Sequence, residues 1–175
     1  MFGSSDDGPK TASFAAEGTR LIMTGVIDDD TIDKLDDAVD DHPDATTIVM
    51  RNVAGSENPD VNLALARDLR RRGLSTYVAA GDRVGPGATD VLIGGLHRIA
   101  ERGASVGVKS WGDKDKAAAD LPLSDEAHNR HLEFYREMGI HEEFYWFSLR
   151  AARPDGVEWM SEVDMFRFRV VKEMR

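Results

Sequence analysis

The amino-acid sequence predicts an α/β fold, with repeated β-α units around a mainly parallel sheet and with C-terminal helices. Short apolar runs that contain β-branched residues alternate with segments of about 15 residues whose apolar positions are spaced for one helix face. Parallel neighbouring strands need crossovers of this kind, which indicates βαβ units. From Asp113 onward the pattern changes to polar residues and then to three helical segments.

The first unit combines the strand RLIMTGV, residues 20–26, with an acidic helix whose apolar face carries Ile32, Leu35 and Val39. The many aspartates of this helix spread around it, whereas a bound cation needs oxygens that converge from several directions. We therefore interpret these aspartates as a solvated face.

The second unit contains the best-marked helix of the chain. The strand TTIVMRN, residues 46–52, leads into the turn VAGSEN and then into a helix with Asn58 as N-cap, Pro59 at its first position and Gly73 at its end. The third strand is STYVAA, residues 75–80. The alternation of strand and helix is therefore regular up to this point.

The remaining elements are a mixture of short strands and helices. Two short strands, in HRIAERG and ASVGVKSW, are joined by a glycine turn. Ser161 and Asp164 have capping-box spacing at the start of the last helix. The helical segments predicted after the third strand are 87–95, 124–138, 141–152 and 161–170.

Length and charge restrict the domain organisation and the partners. The chain has 175 residues, and we expect a flexible N-terminal arm at 1–18 and a single domain at 19–175. Its 32 acidic and 22 basic side chains give a net charge of −10, so nucleic acid and membrane surfaces are not expected as partners. Residues 1–18 lack a signal-peptide pattern, so we expect a cytoplasmic protein, whereas the absence of cysteine leaves the redox compartment undetermined.

The stretch GDRVGPGATDVLIGG, residues 81–95, has the form of a strand end, a sharp glycine turn and a helix start. Many serine hydrolases hold their nucleophile at a turn of this kind. Residues 81–88 contain no Ser, Thr or Cys, and a proline stands in the turn. The turn has the shape of a nucleophile loop without a nucleophile, and an ordinary strand-to-helix turn is the alternative interpretation.

Five segments together resemble the proteolytic subunit of Clp protease and its relatives in the ClpP/crotonase fold. In chain order they are RLIMTGVID, IVMRNVAGSENPDVNLALARDLRRRGL, GPGATDVLIGG, ASVGVKSW and RPDGVEWMSEVDMF. The group that they resemble most is one of small bacterial hydrolase-like proteins. The resemblance covers about residues 19–170 and implies a single ClpP/crotonase-like domain.

The resemblance implies a degenerate catalytic site. In this family a Ser attacks a carbonyl, a His takes its proton, an Asp orients the His, and backbone N–H groups stabilise the oxyanion. The triad positions fall on Gly85, or on Pro86 in an alternative register, and on Lys109 and Asp155. The oxyanion-type turn falls on Ala54, Gly55, Pro86 and Gly87. Neither Gly nor Pro can attack a carbonyl, and a proline has no N–H to donate.

Three functions remain open from the sequence. The first is a catalytically inactive protein that acts as a binding or assembly subunit, without Ser-His hydrolase activity. The second is acyl-thioester chemistry of the crotonase type, in which backbone donors polarise the carbonyl and Lys109, Asp155 or Glu158 supplies the acid or base. The third is a hydrolase that uses Ser56 or Ser110 as its nucleophile.

The expected partner is a second copy of the chain. The resemblance implies a homo-oligomer, as a trimer or as a ring, and the aromatic run 144–147 has more apolar surface than one core face accommodates. Another protein or an acyl ligand is a further possible partner, and no cofactor is expected. Because Lys109 and Asp155 occupy the His and Asp positions of the family, we expect their charged groups to lie within ion-pair reach.

Two pairs of residues have spacings that place them on one helix face. His128 and His131 are three residues apart, and Glu137 and His141 are four apart. A metal site needs further converging ligands. We therefore interpret both pairs as a polar, solvent-facing helix surface and expect no metal.

Overall fold

Nine strands and six helices are present in a computed structural model that describes residues 10–175. The strands are β1 (Ser13–Glu17), β2 (Arg20–Val26), β3 (Thr47–Ala54), β4 (Ser75–Val78), β5 (Arg83–Val84), β6 (Arg98–Ala100), β7 (Ser105–Val108), β8 (Glu158–Trp159) and β9 (Glu173–Met174). The helices are α1 (Thr31–Asp41), α2 (Pro59–Arg72), α3 (Ala88–Gly94), α4 (Asn129–Met138), α5 (Glu142–Ala151) and α6 (Glu162–Arg167). The predicted α/β class is confirmed.

Strand β3 is the centre of the sheet, and the sheet divides along its length. The first half of β3 pairs with β4, while Val53 near its end pairs with Val84 of β5. One branch continues from β4 through β6 to β9, and the other continues from β5 through β7 to β8. All pairs except β1–β2 and β7–β8 are parallel. The carboxyl ends of β3, β5 and β7 therefore lie side by side.

The predicted arm at 1–18 is wrong for the part of it that the structure describes. Residues 13–17 form β1, which pairs antiparallel with β2 in a hairpin. The Val26 N–H donates to the Lys10 carbonyl at 2.9 Å, and the Ala12 N–H donates to the Val26 carbonyl at 2.8 Å. Backbone pairing with β2 thus orders a segment whose composition gave no sign of a strand. Residues 1–9 of the predicted arm lie outside the described residues.

The predicted caps of α2 and α6 are confirmed. The Asn58 side chain accepts a hydrogen bond from the Asp60 N–H, and Gly73 ends α2 in the left-handed region at a φ of 72°. The Ser161 side chain accepts from the Asp164 N–H at 3.1 Å, although α6 ends at Arg167 rather than at residue 170. Strand β5 was predicted only as a strand end at the start of the stretch 81–95, since two residues are too few for a periodic pattern of their own.

The helix α3 is buried along its whole length, between the sheet and α2. At its carboxyl end, the guanidinium of Arg70 donates to the carbonyls of Ile93, Gly94 and Gly95, each at 3.0 Å. The buried Arg98 donates to the Ile93 and Gly95 carbonyls at 3.4 and 3.3 Å, and it also binds the carbonyls of residues 169 and 170. Two cations therefore satisfy the free carbonyls at this helix end.

The aromatic run 144–147 belongs mainly to the core of the same chain. Phe144 and Tyr145 are buried, and Trp146 and Phe147 are half-buried against the same core. The apolar surface that we expected to need a second subunit is thus largely covered by α4 and the segment after α6, through ring contacts such as that between Phe144 and Phe168. Within residues 10–175, no helix combines the length and the apolar character needed to cross a membrane.

Candidate functional site

A pocket of about 80 Å³ lies where β3, β5 and β7 end, and we call it the strand-end pocket. The loops after these strands supply Gly55, Gly87 and Lys109, and the helices α3, α4 and α5 close it from the other side. In parallel sheets, ligands bind outside the carboxyl ends of the strands. The position of the pocket follows from the topology of the sheet.

The predicted oxyanion-type turn is closed by its own hydrogen bonds. The Gly55 N–H donates to the Pro86 carbonyl at 3.2 Å, and the Ser56 N–H donates to Asn62 Oδ1 at 2.7 Å. The two loops touch so closely that a Cβ on Gly55 would lie 2.5 Å from the Gly87 Cα. The Gly55 N–H of the predicted oxyanion-type turn is therefore engaged by the facing loop.

The remaining triad positions do not form a catalytic group. The Lys109 Nζ donates to the Pro154 carbonyl at 2.9 Å and makes no ion pair among the described residues, whereas Asp155 is exposed. No direct ion pair joins Lys109 and Asp155, and the ammonium binds the backbone carbonyl of the preceding proline. Gly85 contributes no side chain, and Glu158 is exposed on the edge strand β8.

The serines considered as substitute nucleophiles are both engaged in local structure. Ser56 Oγ accepts from the Asn58 N–H at 3.0 Å, at the start of α2. Ser110 is fully buried, and its Oγ accepts from the Ala119 N–H at 3.0 Å. Neither hydroxyl is available beside a general base.

Asp90 is the buried acidic residue of the strand-end pocket, and sequence reasoning missed it. It lies in the first turn of α3, is only 9% exposed, and accepts a hydrogen bond from the Tyr135 hydroxyl at 2.6 Å. Burial raises the pKa of Asp90 to about 7, although the bond from Tyr135 opposes the rise. The available signal was a single aspartate in the otherwise apolar stretch ATDVLIG, three residues after Gly87.

The predicted polar helix face at His128 and His131 is wrong, because both side chains are buried beneath α5 and the loop after β7. The Trp111 indole N–H donates to the Tyr145 oxygen at 2.9 Å, and the His128 Nδ1 lies 2.7 Å from the same oxygen. His128 Nε2 lies 3.0 Å from the Pro122 carbonyl, which can only accept. His128 Nε2 thus donates to the Pro122 carbonyl, and Nδ1 pairs with the Tyr145 hydroxyl.

His131 lines the strand-end pocket and has no comparable partners. Its ring is stacked between Trp111, with centroids 5.5 Å apart, and Tyr145, with centroids 5.3 Å apart. Its Nδ1 is buried without a hydrogen-bond partner among the described residues. Burial, with the neighbouring positive charge of Arg130, lowers the pKa of His131 to about 3, so the ring is neutral at pH 7. Glu137 of the second predicted pair instead binds Arg67.

Solved structures with this arrangement of elements include proteases and acyl-CoA enzymes. The 1510-N membrane-bound stomatin-specific protease, as a Ser-to-Ala variant, has a TM-score of 0.59 at 11% identity, over 88% of this chain and 77% of that chain. A putative polyketide biosynthesis enoyl-CoA hydratase from Bacillus subtilis has a TM-score of 0.59 at 13% identity, over 95% and 72%. A methylmalonyl-CoA decarboxylase has a TM-score of 0.59 at 11% identity, over 95% and 68%.

This chain has the ClpP/crotonase fold. No protein-family model matches the sequence, and no curated protein matches it either. Identities this low establish the fold alone, so the ClpP/crotonase fold locates the strand-end pocket without assigning its chemistry. Among residues 10–175, no three His, Cys, Asp or Glu side chains converge where a metal ion would bind.

Proposed function

We propose that this protein binds a ligand in the strand-end pocket and is not a Ser-His hydrolase. The observation that carries this proposal is the hydrogen bond from the Gly55 N–H to the Pro86 carbonyl. It takes one of the two backbone donors that would stabilise an oxyanion, while Pro86 has no N–H to replace it. The two loops that would bind the oxyanion of an acyl group are instead hydrogen-bonded to each other.

The hydroxyl groups around the pocket support the same conclusion. Ser148 Oγ donates to the Tyr145 carbonyl at 2.7 Å, and Thr89 Oγ1 donates to the Gly107 carbonyl at 2.7 Å. With Ser56 at its helix cap, each of these hydroxyls has a structural partner. Acyl transfer needs a nucleophile within hydrogen-bond reach of a base, and none of these three hydroxyls has one.

The protein should neither react with a fluorophosphonate probe nor hydrolyse activated esters above the background of its surface lysines. Mass spectrometry of the treated, folded protein measures this directly. Labelling of any serine would refute the proposal. Restoring the side chains with Gly85→Ser and Lys109→His should also leave the protein inactive, because the missing oxyanion donor is worth about 3 to 4 kcal/mol of transition-state stabilisation.

The alternative register of the resemblance gives this experiment a matched partner. The variant Pro86→Ser with Lys109→His removes the proline and leaves the Gly87 N–H after the new serine. Activity of this variant alone would make Pro86 the nucleophile position. If both double variants remain inactive when folded, the engaged Gly55 donor is sufficient to prevent acyl transfer.

A second candidate function is acid–base chemistry on an acyl group, with Asp90 as the proton carrier. The buried carboxyl has a pKa of about 7, so both protonation states are populated near neutral pH, as a general acid or base requires. The enoyl-CoA hydratases and the decarboxylase with the same fold support this candidate. A panel of acyl-CoA thioesters, assayed with the protein and with Asp90→Asn, tests it: turnover that the variant loses would establish an enzyme.

Self-assembly is the remaining part of the proposed function. Its support is no longer the aromatic run but the exposed apolar side chains after residue 156, such as Val163 at 74% and Phe166 at 45% exposure. These lie on α6, with Trp159 exposed on the edge strand β8. Light scattering at micromolar concentration should report an oligomer, and a monomer would contradict this part.

A further inference from the structure

Three groups in the strand-end pocket keep unused hydrogen-bonding capacity. Lys109 Nζ uses one of its three N–H bonds on the Pro154 carbonyl. Asp90 uses Oδ1 for the Tyr135 hydroxyl, and no donor among the described residues reaches its Oδ2. His131 makes no hydrogen bond to a described residue through either ring nitrogen, although it is only 3% exposed. Buried polar groups are almost always paired, so this set indicates a polar ligand.

The stacking of His131 determines how it can meet a ligand. Trp111 and Tyr145 both stack on the ring, at interplanar angles of 11° and 22°, so the nitrogens at the ring edge are what a polar ligand can bind. Nδ1 is buried and has no partner among the described residues. Nε2 is not buried in this way and remains accessible. The proton of the neutral ring is best placed on the accessible Nε2, because an N–H buried without an acceptor is rare in native structures. His131 therefore presents one N–H donor to the pocket.

Charge and size restrict the ligand further. The ammonium of Lys109 lies in the pocket lining, and Asp90, the only buried acid of that lining, has a pKa near 7 and can be neutral there. The other titratable groups of the lining are Glu57 at its exposed rim, the neutral His131 and the phenols of Tyr135 and Tyr145. A volume of about 80 Å³ admits several water molecules or a ligand group of a few heavy atoms.

We propose that the strand-end pocket binds a small monocarboxylate, whose oxygens accept from Lys109 Nζ and from His131 Nε2. The protonated Asp90 carboxyl donates the third hydrogen bond through Oδ2. This inference rests on the proposed ligand-binding function and names its ligand class. A free cation is disfavoured by the ammonium of Lys109, and a doubly charged oxyanion is disfavoured by the two acidic side chains of the lining.

The experiment is a nitrogen-15 NMR titration of the intact protein at pH 6 with acetate, propionate and butyrate. Acetamide and propionamide are the neutral isosteres, and sulfate, which is doubly charged at pH 6, is the alternative anion. The carboxylates should saturate and shift the amide resonances of Lys109, Trp111 and the residues around His131. The isosteric amides should bind at least about tenfold more weakly, because hydrogen bonds to a charged acceptor are the strong ones, and sulfate should do so because the acidic side chains of the lining repel its second charge.

Two variants test the assigned donors. Lys109→Met and His131→Phe should each weaken propionate binding by about tenfold or more, and His131→Phe keeps the aromatic stack. Lys172→Met and His97→Phe change the same residue types at exposed positions outside the pocket and should leave the affinity unchanged. Equal losses in the test and control variants would overturn the assignment.

The protonation of Asp90 gives a further readout. An anionic ligand requires the neutral carboxyl, so the affinity should fall by up to about tenfold per pH unit above pH 7, and Asp90→Asn should abolish this fall. Binding that is independent of pH would contradict the role of Asp90. If only the amides bind, the ligand class is wrong while the binding function stands. Fluorophosphonate labelling, in contrast, would overturn the proposed function itself.

Discussion

The two ends of the helix α3 differ in how completely their polar groups are paired. At the carboxyl end, the carbonyls of residues 93–95 receive hydrogen bonds from Arg70 and Arg98. There the helix packs so tightly that a Cβ on Gly94 would lie 2.4 Å from the Ala66 carbonyl oxygen. At the amino end, Asp90 keeps a free carboxyl oxygen beside a pocket.

This difference separates structural from functional polarity within a single helix. Both ends bury charged or titratable groups, and burial shifts the pKa at each: that of Arg98 falls to about 10 and that of Asp90 rises to about 7. Arg98 stays protonated at pH 7 because the carbonyls around it are fixed acceptors. Asp90 changes its charge near neutral pH and has space beside it. We therefore interpret the paired Arg98 as part of the fold and Asp90, with its free oxygen, as part of the candidate site.

The largest effect is expected at the paired end. Replacing Arg98 with Ala leaves the carbonyls of Ile93, Gly95 and residues 169–170 with fewer donors, and we expect a loss of about 3 to 5 kcal/mol in the free energy of unfolding. Urea denaturation followed by circular dichroism measures it. Arg136→Ala, at an exposed position, is the matched control. A loss below about 1 kcal/mol for Arg98→Ala would show that this end is not held by its cations.

The two buried histidines, one in α4 and one in the turn before it, give a second comparison of a paired with an unpaired polar group, with smaller expected effects. His128→Phe leaves the Pro122 carbonyl without a partner and the Tyr145 hydroxyl with only the bond from Trp111, so a loss of about 2 kcal/mol is expected. His131→Phe removes a ring whose Nδ1 had no partner and keeps the stack, so its stability should change by less than about 1 kcal/mol, towards higher stability. Urea denaturation of both variants in parallel measures these changes. Equal losses in the free energy of unfolding would show that the two histidines do not differ in this way.

Sequence reasoning succeeded where the determining contacts are local. The Asn58 cap, the Pro59 start and the Gly73 end all act within a few residues of each other, and all three are confirmed. The α/β class was also accessible, because strand and helix periodicities are properties of single segments. Position in the sheet was not accessible for β5, whose two residues are defined only by their neighbours β3 and β7.

The candidate site was predictable in position but not in chemistry. The glycine turn at 85–87 does border the pocket, as the resemblance implied. The bond between Gly55 and Pro86 joins two loops that are distant in sequence, and no residue type encodes it. The spacing of His128 and His131 correctly put the two side chains near each other, although His128 precedes α4, but it could not show that the aromatic side chains of α5 cover them.

Replacing Asp90 with Asn tests the unpaired end through pH. The folded-state pKa of about 7 lies above the ordinary value of 3.8, so the stability that the protonated carboxyl contributes is fully present below about pH 4. It decreases as the pH rises and is lost once the pH passes about 7. Between these limits the free energy of unfolding should fall by up to about 1.4 kcal/mol per pH unit from this group.

The measurement is urea denaturation at pH 5, 6, 7 and 8 for the natural protein, for Asp90→Asn and for Asp44→Asn. Asp44 is exposed, so its variant should keep the pH dependence of the natural protein. Asp90→Asn should flatten it, since the amide still accepts from the Tyr135 hydroxyl but does not titrate. Parallel curves for all three proteins would place the titrating group elsewhere.

The smallest effect is expected at Gly85, on the loop that leads into the unpaired end of α3. A Cβ at this position would make ordinary contacts, the nearest being 3.6 Å from the Ala54 Cα, and the backbone there is not in the left-handed region. Gly85→Ser should therefore change the free energy of unfolding by less than about 0.5 kcal/mol and leave the NMR resonances of residues outside the pocket in place. The result matters for the hydrolase test, because a serine that is tolerated on its own excludes misfolding at position 85 as the reason if the double variant with Lys109→His stays unreactive. A loss of more than about 2 kcal/mol would instead show that the pocket end of α3 is as tightly packed as its carboxyl end.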